Sequence, residues 1–138
     1  MKRNSRFSLA LHVLGHMARK PDERLSSQQL AAFNQTNPVV VRRTLGLLRE
    51  QGIVSSERGH AGGWQLSQDP AEITLAAVYD ALGERFLRPD PVGEDNPPHC
   101  AIERKIGSTL SDALSEAEQV LVRRLREVTI AAIAAEMT

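Results

Sequence analysis

The sequence predicts a mainly α-helical fold with a small β-hairpin: a winged helix-turn-helix followed by a long C-terminal dimerisation helix. Three observations predict it. Two short helical patterns flank a tight turn within residues 26–50, and the second carries the adjacent pair Arg42 and Arg43. Two brief strand-like stretches, the alternating residues 53–58 and the apolar residues 64–66, flank a tip made of Gly59, His60, Ala61, Gly62 and Gly63. Near the C-terminus, apolar residues recur at steps of three and four from Leu114 to Ala135.

Residues 5–18 read as the first helix, with Phe7, Ala10, Leu14 and Met17 on one stripe that Leu9, Leu11 and Val13 widen. Lys2, Arg3 and Arg6 precede or open it and are either phosphate contacts at a helix N-terminus or a solvated end. His12 and His16 lie four apart on one face. With no carboxylate or cysteine near them in sequence they read as a solvated pair, so no metal site is predicted. Lys20, Pro21 and Asp22 form a turn.

Ser26 with Gln29 three residues on fits a capping box for a short helix through Leu30, Ala31 and Phe33, with Asn34 as its left-handed terminal residue. Asn37-Pro38 then reads as an N-cap and first helical position. In the helix that follows, Val41, Leu45 and Leu48 face inward while Val39, Arg42, Arg43 and Arg49 lie on other faces, and Gly52 supplies the stop.

The glycines Gly59, Gly62 and Gly63 permit the positive backbone angles of a hairpin turn. A phosphate-binding loop is the other use of such a tip, but this one precedes a strand, opens no helix and lacks the Lys-Ser/Thr pair. Beyond the wing, Asp69-Pro70 breaks the strand, Thr74 caps a helix over 75–82 and Gly83 ends it. Ile73 and Val78 have the spacing of a hydrophobic staple, and this helix is expected to pack back on the wing.

Residues 84–99 change character, with Pro89, Pro91, Pro97, Pro98 and Gly93 among the acids Asp90, Glu94 and Asp95, which marks a linker ending at Cys100. The expected organisation is a DNA-binding domain over 1–83, a linker over 84–99 and a dimerisation and sensing region over 100–138. The last helix is placed at 112–136. Its main stripe (Leu114, Ala117, Leu121, Leu125, Val128, Ala132, Ala135) and a flank of Val120, Val122, Ile130 and Ile133 require partners on two sides. Its own domain and the same helix of a second subunit supply them, or else a hairpin with residues 102–110 does.

Formal net charge is zero, yet the sign divides along the chain. Residues 1–66 hold ten Lys/Arg against four Asp/Glu, and the remainder seven against thirteen. A basic half that coincides with the helix-turn-helix is the electrostatic footprint of a DNA reader joined to an acidic partner module. No apolar run approaches the ~18 residues that span a bilayer, and a single cysteine excludes an intrachain disulfide framework, so a reducing cytoplasm is the expected location.

For contact with double-stranded DNA, Asn37, Val39, Arg42 and Arg43 are placed to meet base edges, because arginine suits guanine bidentately and valine suits a thymine methyl. Ser26, Ser27 and Thr36 are assigned to phosphates, and Arg58 to the minor groove with His60 at the wing tip. The rival reading is a protein-binding adaptor whose sticky surface is Trp64 with Val39, Val40 and Val41. No Ser/His/Asp or paired-carboxylate arrangement suggests an enzyme.

The run NPVVVRRTLGLLREQGIVSSERGHAGGWQLSQDPAEITLAAVYDAL resembles the Rrf-two family of bacterial transcription regulators, which includes the iron–sulfur cluster regulator, the nitric-oxide-sensitive repressor and the cysteine metabolism repressor. The wing signature Gly59, Gly62, Gly63, Trp64 and Leu66, followed by D-P-x-x-I-T-L, carries the resemblance. It implies a homodimer with crossed long helices, acting as a repressor on a palindromic operator. It also implies a sensing site before the dimer helix, where several members hold an iron–sulfur cluster on three cysteines. Cys100 looks like the last of those three. With His99 it falls short of the roughly four ligands a cluster takes, so no cofactor is expected. Cys100 is then either an inert core residue or a reversible thiol sensor at a helix start.

Overall fold

The computed structural model describes residues 5–59, 62–83, 85–87 and 100–136. The helices and strands among them are α1 (Arg6–Arg19), α2 (Ser27–Phe33), α3 (Pro38–Glu50), β1 (Val54–Glu57), β2 (Gly63–Leu66), α4 (Leu75–Leu82), α5 (Ala101–Leu125) and α6 (Ile130–Glu136). The chain divides into a larger unit, Met1–Glu84 with Leu125–Thr138, and a smaller one, Arg85–Arg124. The expected residues Lys2, Arg3, His60, Ala61 and His99, and the linker over 88–99, lie outside the described residues.

In the larger unit the predicted stripe of α1 is the core. Phe7, Ala10, Val13, Leu14 and Met17 are buried against Leu30 and Ala31 of α2, Val41, Leu45 and Leu48 of α3, and Val78 and Tyr79 of α4. The Phe7 and Tyr79 rings meet edge to face, centroids 5.5 Å apart, which suits their opposed edge and face charges. Each such large apolar side chain contributes about 1.5–3 kcal/mol relative to exposure.

Both helices of the helix-turn-helix end in the same way. At the end of α3 the Gly52 N–H donates to Arg49 O (3.0 Å) and the Ile53 N–H to Leu48 O (3.0 Å), with Gly52 at φ 74°. At the end of α2 the Gln35 N–H donates to Ala32 O (3.5 Å) and the Thr36 N–H to Ala31 O (3.1 Å). Both are Schellman motifs. Here the structure corrects the sequence reading: the left-handed residue is Gln35, φ 51°, whereas Asn34 sits at φ −109°. Asn34 uses its side chain instead, Nδ2 donating to Leu30 O at 2.7 Å, and so satisfies one more carbonyl of the last turn.

The wing is an antiparallel hairpin in which Val54 faces Leu66 and Glu57 faces Gly63. Leu25 adds a third rung the sequence did not disclose, pairing with Trp64 through bonds of 3.0 and 2.8 Å. That pairing brings backbone against Gly63, whose φ is 140° and where a Cβ would lie 2.8 Å from Leu25 O. A Cβ on Gly62 would collide with Glu57 O. These two positions therefore demand glycine for space, beyond the turn's preference for it.

Two expectations fail. α4, capped by Thr74 Oγ1 on the Ala77 N–H (3.1 Å), packs chiefly on α1 and α3 rather than on the wing. Of the wing's buried side chains, Val54 and Trp64, the latter is taken up by α2 and α3, as described below. The C-terminal helix is also not continuous over 112–136. α5 starts at Ala101, taking in the segment over 102–110, and ends at Leu125; Thr129 then caps α6 through the Ala132 N–H (3.2 Å). Ile130 is fully buried in the larger unit, and its N–H donates to Ile73 O while the Leu75 N–H donates to Val128 O, each at 2.9 Å. A four-residue break between Leu125 and Ile130 preserves the spacing of the apolar residues, so periodicity alone reads through it.

In the smaller unit, α5 is 25 residues long, about 37 Å at the usual rise, and buries none of them. Ile102, Ile106, Leu110 and Val120 are 72, 53, 57 and 55% exposed. Arg85 and Glu118 form an ion pair at 3.2 Å within the same unit.

Candidate nucleic-acid interface

The helix most suited to a major groove is α3, and its start is built for presentation. Asn37 Oδ1 accepts the Val40 N–H at 3.0 Å, and Pro38 occupies the first turn without forfeiting a needed donor. Since Val41, Thr44, Leu45 and Leu48 are buried, the opposite face turns outward. Asn37, Val39, Arg42 and Arg43 are all exposed there, with Val39 at 53%. The structure thus brings together on one free face the four residues assigned to base edges. Val40, 39% exposed and adjacent to them, belongs to the same surface although the sequence reading gave it no role in DNA contact.

The residues assigned to phosphates divide. Ser26 is half-buried and forms a full capping box with Gln29: its Oγ accepts the Gln29 N–H (3.1 Å) and its own N–H donates to Gln29 Oε1 (2.9 Å). Thr36 is half-buried at the turn before α3. Ser27 is a correction. Its side chain is buried, 7% exposed, and its Oγ accepts the indole N–H of Trp64 at 3.0 Å, so it braces the wing from within and its hydroxyl does not reach a phosphate. Arg58 is exposed beside Gly59, at the end of β1, whereas His60 falls outside the described residues.

Of the adaptor surface only Val39 and Val40 are exposed. Trp64 is 8% exposed and Val41 fully buried, so neither offers an apolar face to a partner. Trp64 lies instead under the Arg49 guanidinium, 5.4 Å from the ring centroid, and Arg49 Nη1 donates to Ser56 Oγ at 2.7 Å. Arg49 therefore clamps the C-terminal end of α3 to both wing strands, a stacking role for which arginine's planar cation is suited. A second arginine went unremarked in the sequence. Arg24 pairs with Glu57 at 3.1 Å and lines a groove with Ser26, Gln29, Gly62 and Gln65, between the start of α2 and the wing. No spacing or motif singles it out, because it acquires this place only through the pairing of its neighbour Leu25 with Trp64.

Cys100 is exposed, which removes the buried-core reading, and its Sγ accepts the Glu103 N–H at 3.3 Å across the first turn of α5. It is the chain's one cysteine, and among the described residues no three His, Cys, Asp or Glu side chains converge as metal ligands. That single thiol differs from the three-cysteine set that the resemblance implies for cluster-holding members.

On α1, His12 and His16 are drawn together, their Nε2 atoms 3.2 Å apart. The His16 ring stacks on Phe33 of α2 at 4.5 Å, and partial burial, followed by His12, Arg19 and Lys20, lowers its pKa below the ordinary imidazole value. Among the described residues no helix is long and apolar enough to cross a membrane.

Comparison with known proteins agrees with this architecture. The chain matches the Rrf2 (Rrf-two) family, described as iron-dependent transcriptional regulators, over residues 3–136. It is 34% identical over 122 residues to YwnA of Bacillus subtilis, which bears the name of an HTH-type transcriptional regulator, covering 88% of this chain and 89% of YwnA. A solved structure titled as a DNA-binding protein superposes with a TM-score of 0.75 at 30% identity, covering 94% of this chain and 98% of its own. CymR, the global cysteine regulator of Bacillus subtilis, shares the fold, with a TM-score of 0.67 at 21% identity over 100% of this chain and 99% of its own. With a winged helix-turn-helix whose exposed helix face carries Arg42 and Arg43, a family model that matches residues 3–136 and a relative 34% identical over 88% of its length, the chain belongs to the Rrf2 family of transcriptional regulators.

Proposed function

We propose that the protein represses transcription as a homodimer that reads a palindromic operator with two copies of α3, and that oxidation of Cys100 modulates that binding. The observation that carries the DNA-binding part is the free face of α3, where Asn37, Val39, Arg42 and Arg43 stand exposed over a fully packed underside. Arginine there supplies bidentate donors for guanine and valine an apolar contact for thymine. Arg58 at the wing, with Ser26 at the start of α2 and Thr36 before α3, supplies the polar contacts that fix register on the backbone. The likeness to a structure titled as a DNA-binding protein supports the same reading. A regulator that works on the chromosome of a bacterium does so in the cytoplasm.

Homodimerisation is supported by α5. A helix of 25 residues that buries none of them and exposes Ile102, Ile106, Leu110 and Val120 carries more apolar surface than a solitary chain leaves to water. Two operator half-sites about one helical turn apart then meet the two readers. For Cys100, exposure and the N–H that its Sγ accepts at a helix start support a reactive thiol. Its oxidised products would be a sulfenic acid, a mixed disulfide with a small thiol, or a bridge between two copies of Cys100.

Fluorescence anisotropy with duplexes from the region upstream of its own gene tests the reading. Expected is tight binding to one palindromic duplex, with affinity falling as salt rises, by a species of twice the chain mass in light scattering. Equal, weak binding to all duplexes at low salt would overturn it. Peroxide treatment is expected to change affinity for the wild type and leave Cys100→Ser unaffected; identical responses would remove the redox arm alone.

A further inference from the structure

We propose that His12 and His16 form a binding site for a late first-row divalent cation of the zinc, nickel or copper class, seated on α1 next to the turn that introduces α3. The two imidazoles are one helical turn apart, and their Nε2 atoms converge to 3.2 Å. An ion held about 2.0–2.1 Å from each nitrogen would see them at an angle of about 100°, between the square and tetrahedral values such ions accept. One exposed and one half-buried imidazole point their nitrogens at each other for a reason: a shared cation supplies one, and a single N–H···N bond is the competing cause.

Independent features fit the ion. The His16 ring is held face to face with Phe33 at 4.5 Å and an interplanar angle of 17°, which fixes the direction of its nitrogen as an orienting neighbour does in a metal site. His12 opens on a cavity of about 350 Å³ lined also by Ser8, Asn34, Thr36 and Val40, room enough for the water molecules that complete a two-histidine coordination shell. Asn34 Oδ1, on the same turn, is buried with no hydrogen-bond partner among the described residues. With two protein ligands among the described residues, the site is an exchangeable one.

The test is isothermal titration of the untagged full chain with Zn²⁺ at pH 7.5, and the optical spectrum of its Co²⁺ form. Expected is one ion per chain with micromolar affinity, weakened at least tenfold by His12→Gln and by His16→Gln. Cys100→Ser should not alter it, and the cobalt spectrum should lack a sulfur charge-transfer band. His12 is exposed, so its variant keeps the fold, as circular dichroism would verify. Absence of binding below millimolar Zn²⁺, or binding that survives both histidine substitutions or disappears with Cys100→Ser, would overturn the proposal and leave the pair as a hydrogen bond only. Because the readout is metal affinity, failure here is independent of whether the protein binds DNA.

Discussion

The indole N–H of Trp64 donates to the hydroxyl of Ser27 at 3.0 Å, joining the second wing strand to the first turn of α2 across 37 residues of chain. Around this bond the wing acquires its orientation: Leu25 pairs with the Trp64 backbone on one side, and Arg49 covers the ring on the other. Helix α3 and the wing are thereby fastened to each other.

Ser27→Ala leaves a buried indole donor unpaired and should lower stability by about 1–2 kcal/mol. Urea denaturation monitored by the fluorescence of Trp64, the chain's one tryptophan, measures it. The number of phosphate contacts, read from the salt dependence of DNA binding, should stay unchanged, in contrast to substitution of a true phosphate ligand.

Arg42→Ala and Arg43→Ala should each cost about 1–3 kcal/mol of operator affinity and relax specificity at one base position, with little change in melting temperature since both are exposed. Competition with base-substituted duplexes measures this. A uniform loss on all sequences, with the salt slope reduced by about one, would reassign the residue to a phosphate.

Gln35→Gly should stabilise the protein by about 0.5–1 kcal/mol. A side chain at φ 51° meets the left-handed penalty of about 1–2 kcal/mol, which glycine escapes at a smaller cost in chain entropy. Thermal melts of the two forms provide the comparison, and a loss of stability would show that the Gln35 side chain makes contacts worth more than its strain.

The lowered pKa of His16 implies a definite sign of pH dependence in protein kept metal-free with chelator. Below the ordinary imidazole value the unfolded chain takes up a proton that the folded chain resists, so stability rises with pH. The contribution is complete above about 6.5 and is lost as pH falls from there through the lower folded value. His16→Gln should flatten that part of the melting-temperature profile.

Ile106→Glu should convert a dimer to monomers in light scattering, because it places a charge in the apolar stripe of α5. The larger unit's core is untouched, so circular dichroism should show its helices retained. A dimer of unaltered strength would place the association surface elsewhere.

Much of the fold was legible because local chemistry dictated it. Ser26 with Gln29, Asn37 with Pro38, and Thr74 with Gly83 mark helix ends by hydrogen bonds made within a few residues, and each occurs as read. The alternation between inward Val41, Leu45, Leu48 and outward Arg42, Arg43 follows from the helical repeat alone. What escaped depended on distant partners. Ser27 looks like its neighbour Ser26 in sequence, and only the arrival of Trp64 separates a brace from a surface cap. His12 is exposed as read, whereas the ring of Phe33 that stacks on His16 comes from another helix and leaves no trace in the spacing of α1.

The sequence by itself determined a winged helix-turn-helix with an exposed arginine-bearing face, since helix caps, periodicity and glycine tips are properties of short stretches. Tertiary structure decided where α5 stops, which hydroxyl faces inward, and how Arg49 and Leu25 fasten the wing. The division is physical. Backbone hydrogen bonding within a turn is settled among neighbours, whereas burial of Ile130 against Ile73 or of Trp64 against Ser27 requires chain segments that meet only once the core has closed.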